Sequence, residues 1–122
     1  MPFPKPQLES IDAAREVDIE TRADNGRVYR TVIWIMVEDD VVYVRSVRGE
    51  AGRWYQRATA DSNVKIVVGS VEIDAVARLA ADERSIETAS AGLRRKYAPG
   101  PSLDSMLKPD VLPTTLRLEP VV

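Results

Sequence analysis

Residues 31–58 read TVIWIMVEDDVVYVRSVRGEAGRWYQRA, and they hold two strong strand signals on either side of an acidic turn. Residues 31–37 are apolar nearly throughout, which predicts a strand that is covered on both faces. Residues 38–40 are all acidic and turn the chain. Residues 41–47 then return as a second strand rich in β-branched side chains. The stretch therefore predicts an antiparallel hairpin.

The end of this stretch predicts a helix. Gly49 and Gly52 break the second strand, and Arg53–Ala60 has helical composition. Trp54 and Tyr55 come in the first turn of that helix, next to several arginines. A basic loop that leads into a helix start is therefore expected at one end of the hairpin.

Further elements are predicted on both sides of the hairpin. Period-two alternation predicts strands, and Asn-Gly or Gly-Ser pairs predict the turns between them. The expected strands are residues 17–21, 64–68, 71–79 and 114–118. The expected helices are a short one over Leu8–Ala14 with Ser10 as its cap, a long one capped by Asp82 that reaches Tyr97, and a helical turn over Ser102–Leu107.

Six short strands with two main helices indicate a mainly β fold with flanking helices, in which the strands close into a small barrel. A chain of 122 residues is long enough for one modest core. We therefore expect a single domain over residues 1–122, in which residues 1–15 form a lead-in and the short helix.

Composition narrows the classes of function. The net charge is −2, which argues against nucleic acid and anionic membranes as partners. No apolar run reaches the length of a membrane span, and the first ten residues lack the apolar core of a signal peptide. A cytoplasmic location is the expectation.

The chain contains neither cysteine nor histidine. Thiolate nucleophiles, cysteine-ligated metals and the usual haem ligand are thus excluded, and so is Ser-His-Asp chemistry. We expect no metal and no haem. If the protein is an enzyme, an organic cofactor is expected to supply the difficult chemistry, although a mechanism based on carboxylates alone stays open.

Two basic segments predict an anion site. Pairing the strands of the hairpin brings the start of the first, at Arg30 and Thr31, to the end of the second, at Arg45 and Ser46. Arg48, Gly49 and Arg53 follow in the next loop, where a helix N-terminus also offers free N–H groups. Trp54 or Tyr55 would then cover a flat ring. The alternative is that both aromatic residues lie in the core and the arginines pair with surface acids.

The order RTVIWIMVEDDVVYVRSVRGEAGRWYQRA, NVKIVV, LRRKYAP and TTLRLEP resembles a bacterial family of unknown function. That family belongs with the flavin-type split barrels of the pyridoxamine-phosphate-oxidase-like fold, and the same order is similar to deazaflavin-dependent nitroreductases. The resemblance implies a split β-barrel that forms a homodimer and binds FMN or a deazaflavin coenzyme at the subunit interface. It implies a phosphate side made of Arg30, Thr31, Arg45, Ser46, Arg48, Gly49 and Arg53, with Trp54 and Tyr55 beside or beneath it.

Three hypotheses follow. The first is an oxidoreductase that passes hydride between the cofactor and a small organic acceptor, with Tyr43 or Tyr97 near the substrate. The second is a module that binds the cofactor or another planar ligand without chemistry. The third is a structural dimer whose ancestral site is empty.

Overall fold

The structure is a computed structural model, which describes residues 2–121. Seven strands and four helices follow one another along the chain. The strands are β1 (Val17–Arg22), β2 (Val28–Ile33), β3 (Met36–Glu38), β4 (Val41–Val44), β5 (Asn63–Val68), β6 (Val71–Leu79) and β7 (Leu116–Pro120). The helices are α1 (Lys5–Ala13), α2 (Arg53–Ala60), α3 (Glu83–Lys96) and α4 (Pro101–Ser105).

The strands form one antiparallel sheet in the order β2-β1-β5-β6-β7-β4-β3, which is curled and flanked by the helices. Consecutive strands β2 and β3 therefore lie at opposite edges of the sheet. The chain crosses between the two edges through only Trp34 and Ile35. This crossing opens a cleft beside β2, which is described below.

The prediction of one strand over residues 31–37 was wrong, because two side chains take the backbone groups of Ile35. The Ile35 N–H donates to the Tyr97 hydroxyl at 3.1 Å, and the Ile35 carbonyl accepts from Lys96 Nζ at 2.8 Å. With both groups satisfied by the end of α3, no neighbouring strand can pair with Ile35. The run is thus divided between β2 and β3.

Two further predicted boundaries also differ, at the end of β4 and the start of β7. β4 ends at Val44 rather than Val47, and β7 begins at Leu116 rather than Thr114. The reason is shared: the Ser46 N–H donates to the Thr114 hydroxyl at 3.1 Å, so a side chain replaces the strand ladder there. Thr114 itself ends a short 3₁₀ turn.

Of the two predicted helix caps, Ser10 is wrong and Asp82 is confirmed. Ser10 does not cap α1, since that helix begins after Pro4 with Pro6 in its first turn, a position that suits proline. The Ser10 hydroxyl instead donates to the Pro6 carbonyl at 3.0 Å. Asp82 caps α3 as predicted, because its carboxylate accepts from the Ser85 N–H at 3.1 Å.

The predicted turns at residues 24–26, 38–40 and 69–70 are all present. Asp39 and Asp40 both have positive φ, at 52° and 64°, which is the conformation of a tight hairpin turn between β3 and β4. Aspartate tolerates that conformation better than most residues.

The core has two parts. The larger part lies inside the curl of the sheet and includes Ile19, Val44 and Leu118. The smaller part lies beneath α3 and α4 and includes Leu93 and Met106. None of the helices within residues 2–121 has the length and apolar character that a membrane crossing requires.

Candidate functional site

The main cleft has a volume of about 650 Å³ and lies between β2, the loop after β4, the start of α2 and helix α4. A volume of this order is typical of small-molecule sites. Its wall is formed by Glu16, Tyr29, Thr31, Val32, Ile33, Trp34, Arg45, Ser46, Val47, Arg48, Gly52, Arg53, Trp54, Arg57, Ser102, Ser105 and Met106.

The loop after β4 is held tightly against the start of α2. The Ser46 hydroxyl donates to the Gly49 carbonyl at 2.8 Å, and Gly52 lies so close to that hydroxyl that a Cβ would overlap it. Gly52 is the N-cap of α2, and no side chain caps the helix there. The first N–H groups of α2 therefore remain available beside the cleft for an anion.

The charge of the cleft is strongly positive. Four arginines contribute to its wall, against the single acid Glu16. Among residues 2–121, neither Arg48 nor Arg53 forms an ion pair. Both side chains belong to exposed residues, so their guanidinium groups are free to meet a ligand.

Arg45 plays a different part from the other arginines of the wall, because it is only 1% exposed. Its guanidinium donates to the hydroxyls of Thr115 and Ser90 and to the carbonyls of Met106 and Ile86, at 2.9 to 3.1 Å. Burial, with a smaller effect of Arg94, lowers the pKa of Arg45 to about 10.

Arg45 thus uses four of its five N–H groups inside the protein. No carboxylate of residues 2–121 balances its charge. A buried cation that has only neutral acceptors makes the nearby cleft more favourable for an anion.

Two tryptophans line the cleft in different ways. Trp34 is half-buried and stacks face to face on Tyr97, with ring centres 3.9 Å apart and planes at 4°. Trp54 is only 7% exposed and meets Tyr55 edge to face. Burial raises the pKa of both Tyr97 and Tyr55. Trp34 is therefore the more accessible of the two tryptophans.

The structure brings together most of the residues that the sequence proposed for the phosphate side. Those on the wall are Thr31, Arg45, Ser46, Arg48, Arg53 and Trp54. Gly49 and Tyr55 lie behind the wall rather than on it: Gly49 supports the loop through Ser46, and Tyr55 packs against the main core.

Arg30 lies away from the cleft. Side chains alternate along β2, so Arg30 projects from the face opposite to Thr31. Its guanidinium pairs with Glu20 at 3.0 Å and Glu72 at 3.3 Å. The hydrogen bond that Arg30 donates to Glu20 is the main reason that the pKa of Arg30 is raised.

Several wall residues were not among the predicted site residues, and Trp34, Arg57 and Met106 are the most informative of them. Arg57 follows Arg53 by four residues on α2, a spacing that places both on one side of the helix and was a usable signal. Trp34 gave no such signal, because it sits inside an apolar run that reads as fully covered.

A second, more open cleft of about 500 Å³ adjoins the first and shares Tyr29, Arg53 and Arg57 with it. The Arg57 guanidinium lies 4.2 Å from the centre of the Tyr29 ring, and its Nε donates to the Thr21 hydroxyl at 2.8 Å. This contact between a cation and an aromatic ring fixes Arg57 at the border of the two clefts.

The part of the chain that the structure describes contains no cluster of metal-ligating side chains. No group of three or more His, Cys, Asp or Glu side chains is placed to hold a metal ion there. The chemistry of the cleft is that of arginines, hydroxyls, helix N–H groups and an aromatic wall.

Comparison with solved structures identifies the fold. A candidate pyridoxamine 5′-phosphate oxidase from Listeria innocua matches with a TM-score of 0.69 at 13% identity, over 96% of this chain and 92% of that one. The haem storage protein HutZ from Vibrio cholerae matches with a TM-score of 0.70 at 15% identity, over 100% and 92%. An F420-H2 dependent reductase, FDR-A, matches with a TM-score of 0.67 at 18% identity, over 86% and 94%.

These similarities confirm the expected split β-barrel of the pyridoxamine-phosphate-oxidase-like type. At such identities they concern the fold alone. No curated protein matches the sequence. The family comparison is specific and confirms the resemblance seen in the sequence: residues 7–118 match a family of uncharacterised proteins conserved in bacteria (DUF2255), and the chain belongs to that family.

Proposed function

We propose that this protein binds a flavin or deazaflavin coenzyme in the main cleft and acts as an oxidoreductase on a small organic acceptor. The observation that carries the proposal is the pairing, in one cleft, of an accessible tryptophan with two arginines that have no acidic partner among residues 2–121. A phosphate and a flat ring are the two features that such a cleft complements.

The anion end fits a phosphate by charge and by donor chemistry. Arg48 and Arg53 would hold the phosphate, and the N–H groups at the start of α2 would add fixed donors. The buried charge of Arg45 would support them from behind the wall. Thr31 also lines the cleft, and its hydroxyl would add a further hydrogen-bonding group on this side.

The apolar part of the cleft wall fits a flat and largely apolar group. Val32, Trp34 and Met106 line it, and they would exclude water from the ring. A flavin or deazaflavin, when bound, supplies hydride transfer. The chain has no histidine or cysteine, so its own residues would bind, orient and shield, and no catalytic residue is assigned.

A homodimer is part of the proposal. Val32 and Val47 lie on the cleft wall and are 60% and 53% exposed. Apolar side chains at the mouth of a binding site are typical of a surface that a partner covers. A second copy of the chain would therefore complete the cleft.

The test is a titration of the purified protein with FMN and, separately, with the deazaflavin coenzyme, followed by cofactor fluorescence. We expect saturable binding of one of them. Replacing both Arg48 and Arg53 by Gln should weaken that binding by at least about tenfold, because two charged hydrogen-bond donors are lost. Arg84→Gln is the matched control, since Arg84 is an exposed arginine of α3 outside both clefts.

Binding of neither coenzyme would refute the proposal. Reduction of the bound cofactor by a nicotinamide donor, followed by its reoxidation with a nitroaromatic acceptor, would support the oxidoreductase. Tight binding without any turnover would instead support a carrier or binding module.

A further inference from the structure

Trp34 is held more rigidly than its place in a crossover segment would suggest. One face of its indole lies flat on the Tyr97 ring, with 3.9 Å between ring centres. Because Trp34 also lines the main cleft, and Tyr97 does not, the part of the indole that reaches the ligand is the part that Tyr97 leaves uncovered. The Trp34 indole is thus supported on one face by the Tyr97 ring.

Three hydrogen bonds fix this pair in position. The Tyr97 hydroxyl donates to the Arg15 carbonyl at 2.7 Å and accepts from the Ile35 N–H at 3.1 Å. Lys96 donates to the Ile35 carbonyl at 2.8 Å. The residue next to Trp34 is therefore held by the end of α3, so the indole needs little reorganisation when a ligand arrives.

The surroundings of Trp34 suit a flat ring better than those of Trp54. Val32 and Met106 provide apolar neighbours on the same wall, whereas Trp54 has nearly all of its surface buried. An indole is electron-rich and stacks well on an electron-poor heteroaromatic ring such as that of a flavin.

We propose that Trp34 is the platform on which the ring of the coenzyme stacks, a role that the sequence had given to Trp54 or Tyr55. This inference rests on the proposed function, and it assigns the two ends of the cleft. The ring lies at Trp34, and the phosphate lies at Arg48 and Arg53. Tyr97 acts through Trp34 and is a positioning residue.

The experiment measures two quantities for FMN and for the deazaflavin coenzyme: the dissociation constant and the emission of the bound cofactor. Direct contact with an indole quenches flavin emission by electron transfer. In the wild-type protein the bound cofactor should be nearly dark. In Trp34→Leu it should regain emission and bind at least about tenfold more weakly, which is the usual effect of losing one aromatic stacking partner.

Trp34→Phe is the conservative variant, and it should retain most of the affinity while emission increases in part. Trp54→Phe is the competing variant at the other tryptophan of the chain, and it should change both quantities less than Trp34→Phe does. Circular dichroism establishes that each variant is folded. Should Trp34→Leu fail to fold, the emission change in Trp34→Phe decides the question.

The outcomes separate the two proposals. Wild-type affinity and a dark cofactor in a folded Trp34→Leu or Trp34→Phe protein would overturn the platform and leave the proposed function standing. A larger effect of Trp54→Phe than of Trp34→Phe would also overturn it, in favour of Trp54. Binding of neither coenzyme to the wild-type protein would overturn both.

Discussion

Arg45 and Arg48 are three residues apart, yet they have different roles in the structure. Arg45 is buried and ties the end of β4 to β7, α3 and the residue after α4. Arg48 is exposed on the cleft wall and has no acidic partner among residues 2–121. The resemblance seen in the sequence had placed both arginines on the phosphate side. The contacts now separate the two positions.

We predict that Arg45→Ala lowers the free energy of unfolding by about 2–4 kcal/mol, because it leaves a cavity and strands buried acceptors such as the Met106 carbonyl. Arg48→Ala should change that free energy by no more than about 0.5 kcal/mol while it weakens cofactor binding. Urea denaturation of both variants measures the first quantity, and titration measures the second. Equal stability of the two variants would contradict the assignment of Arg45 to the fold.

Lys96 is a residue whose ionisation should affect stability above about pH 8. Burial lowers its pKa from 10.5 to about 8, although Asp12 opposes the shift and Arg95 adds to it. Between about pH 8 and 10.5 the unfolded chain therefore binds more protons than the folded one, so the contribution of Lys96 to stability rises with pH.

The measurement is the free energy of unfolding of the wild type minus that of Lys96→Met, at intervals from pH 7 to about pH 9.5, below the range in which unfolded tyrosines ionise. We expect this difference to rise above about pH 8. A difference that stays constant, or one that falls, would show that Lys96 remains charged in the folded protein throughout this range.

At the scale of elements, the loop after β4 and the start of α2 depend on the absence of a side chain at Gly52. The backbone there, with φ −63° and ψ 125°, suits any residue, so glycine is required by space rather than by conformation. A Cβ at this position would overlap the Ser46 hydroxyl, which donates to the Gly49 carbonyl. Residue 52 therefore sets the distance between the phosphate loop and its helix.

We predict that Gly52→Ala costs about 1–3 kcal/mol of folding stability through this overlap and weakens cofactor binding. Ser46→Ala removes the hydroxyl, so the double variant should be more stable than the sum of the two single changes implies. Thermal unfolding of the wild type, the two single variants and the double variant gives the four stabilities of a double-mutant cycle. Strict additivity would mean that the two side chains do not compete for the same space.

The elements themselves were largely predictable from the sequence, because alternation and turn residues are local signals. The division of residues 31–37 was not, since it depends on Tyr97, which is 62 positions from Ile35 along the chain. The same separation explains why Trp34 was missed. The Tyr97 ring that covers one face of the indole, and leaves the rest facing the cleft, is far from Trp34 along the chain. The grouping of Arg45, Arg48 and Arg53 near one loop was predictable, but which of them is buried was not.

At the scale of the whole molecule, the curled sheet leaves its two edge strands and the mouth of the cleft open to contact. β2 is one of those edges, and it presents Val32, which is 60% exposed. An unpaired edge with an exposed apolar side chain invites association unless it is protected. The proposed homodimer would cover the valines at the cleft mouth and shield the ring from water.

We predict that the wild-type protein is a dimer by analytical ultracentrifugation and that Val32→Glu shifts it towards monomer, because a carboxylate in an apolar interface must be desolvated without a partner. Cofactor affinity should fall in the same variant, since each cleft would lose its cover. Val71→Glu is the control. Val71 is exposed to a similar extent, at 53%, but it lies at the β5–β6 hairpin and lines neither cleft. If both variants stay dimeric with unchanged affinity, the interface lies elsewhere and the cleft is complete within one subunit. If the wild type is itself a monomer that binds the coenzyme, Val32 is exposed for a reason other than self-association.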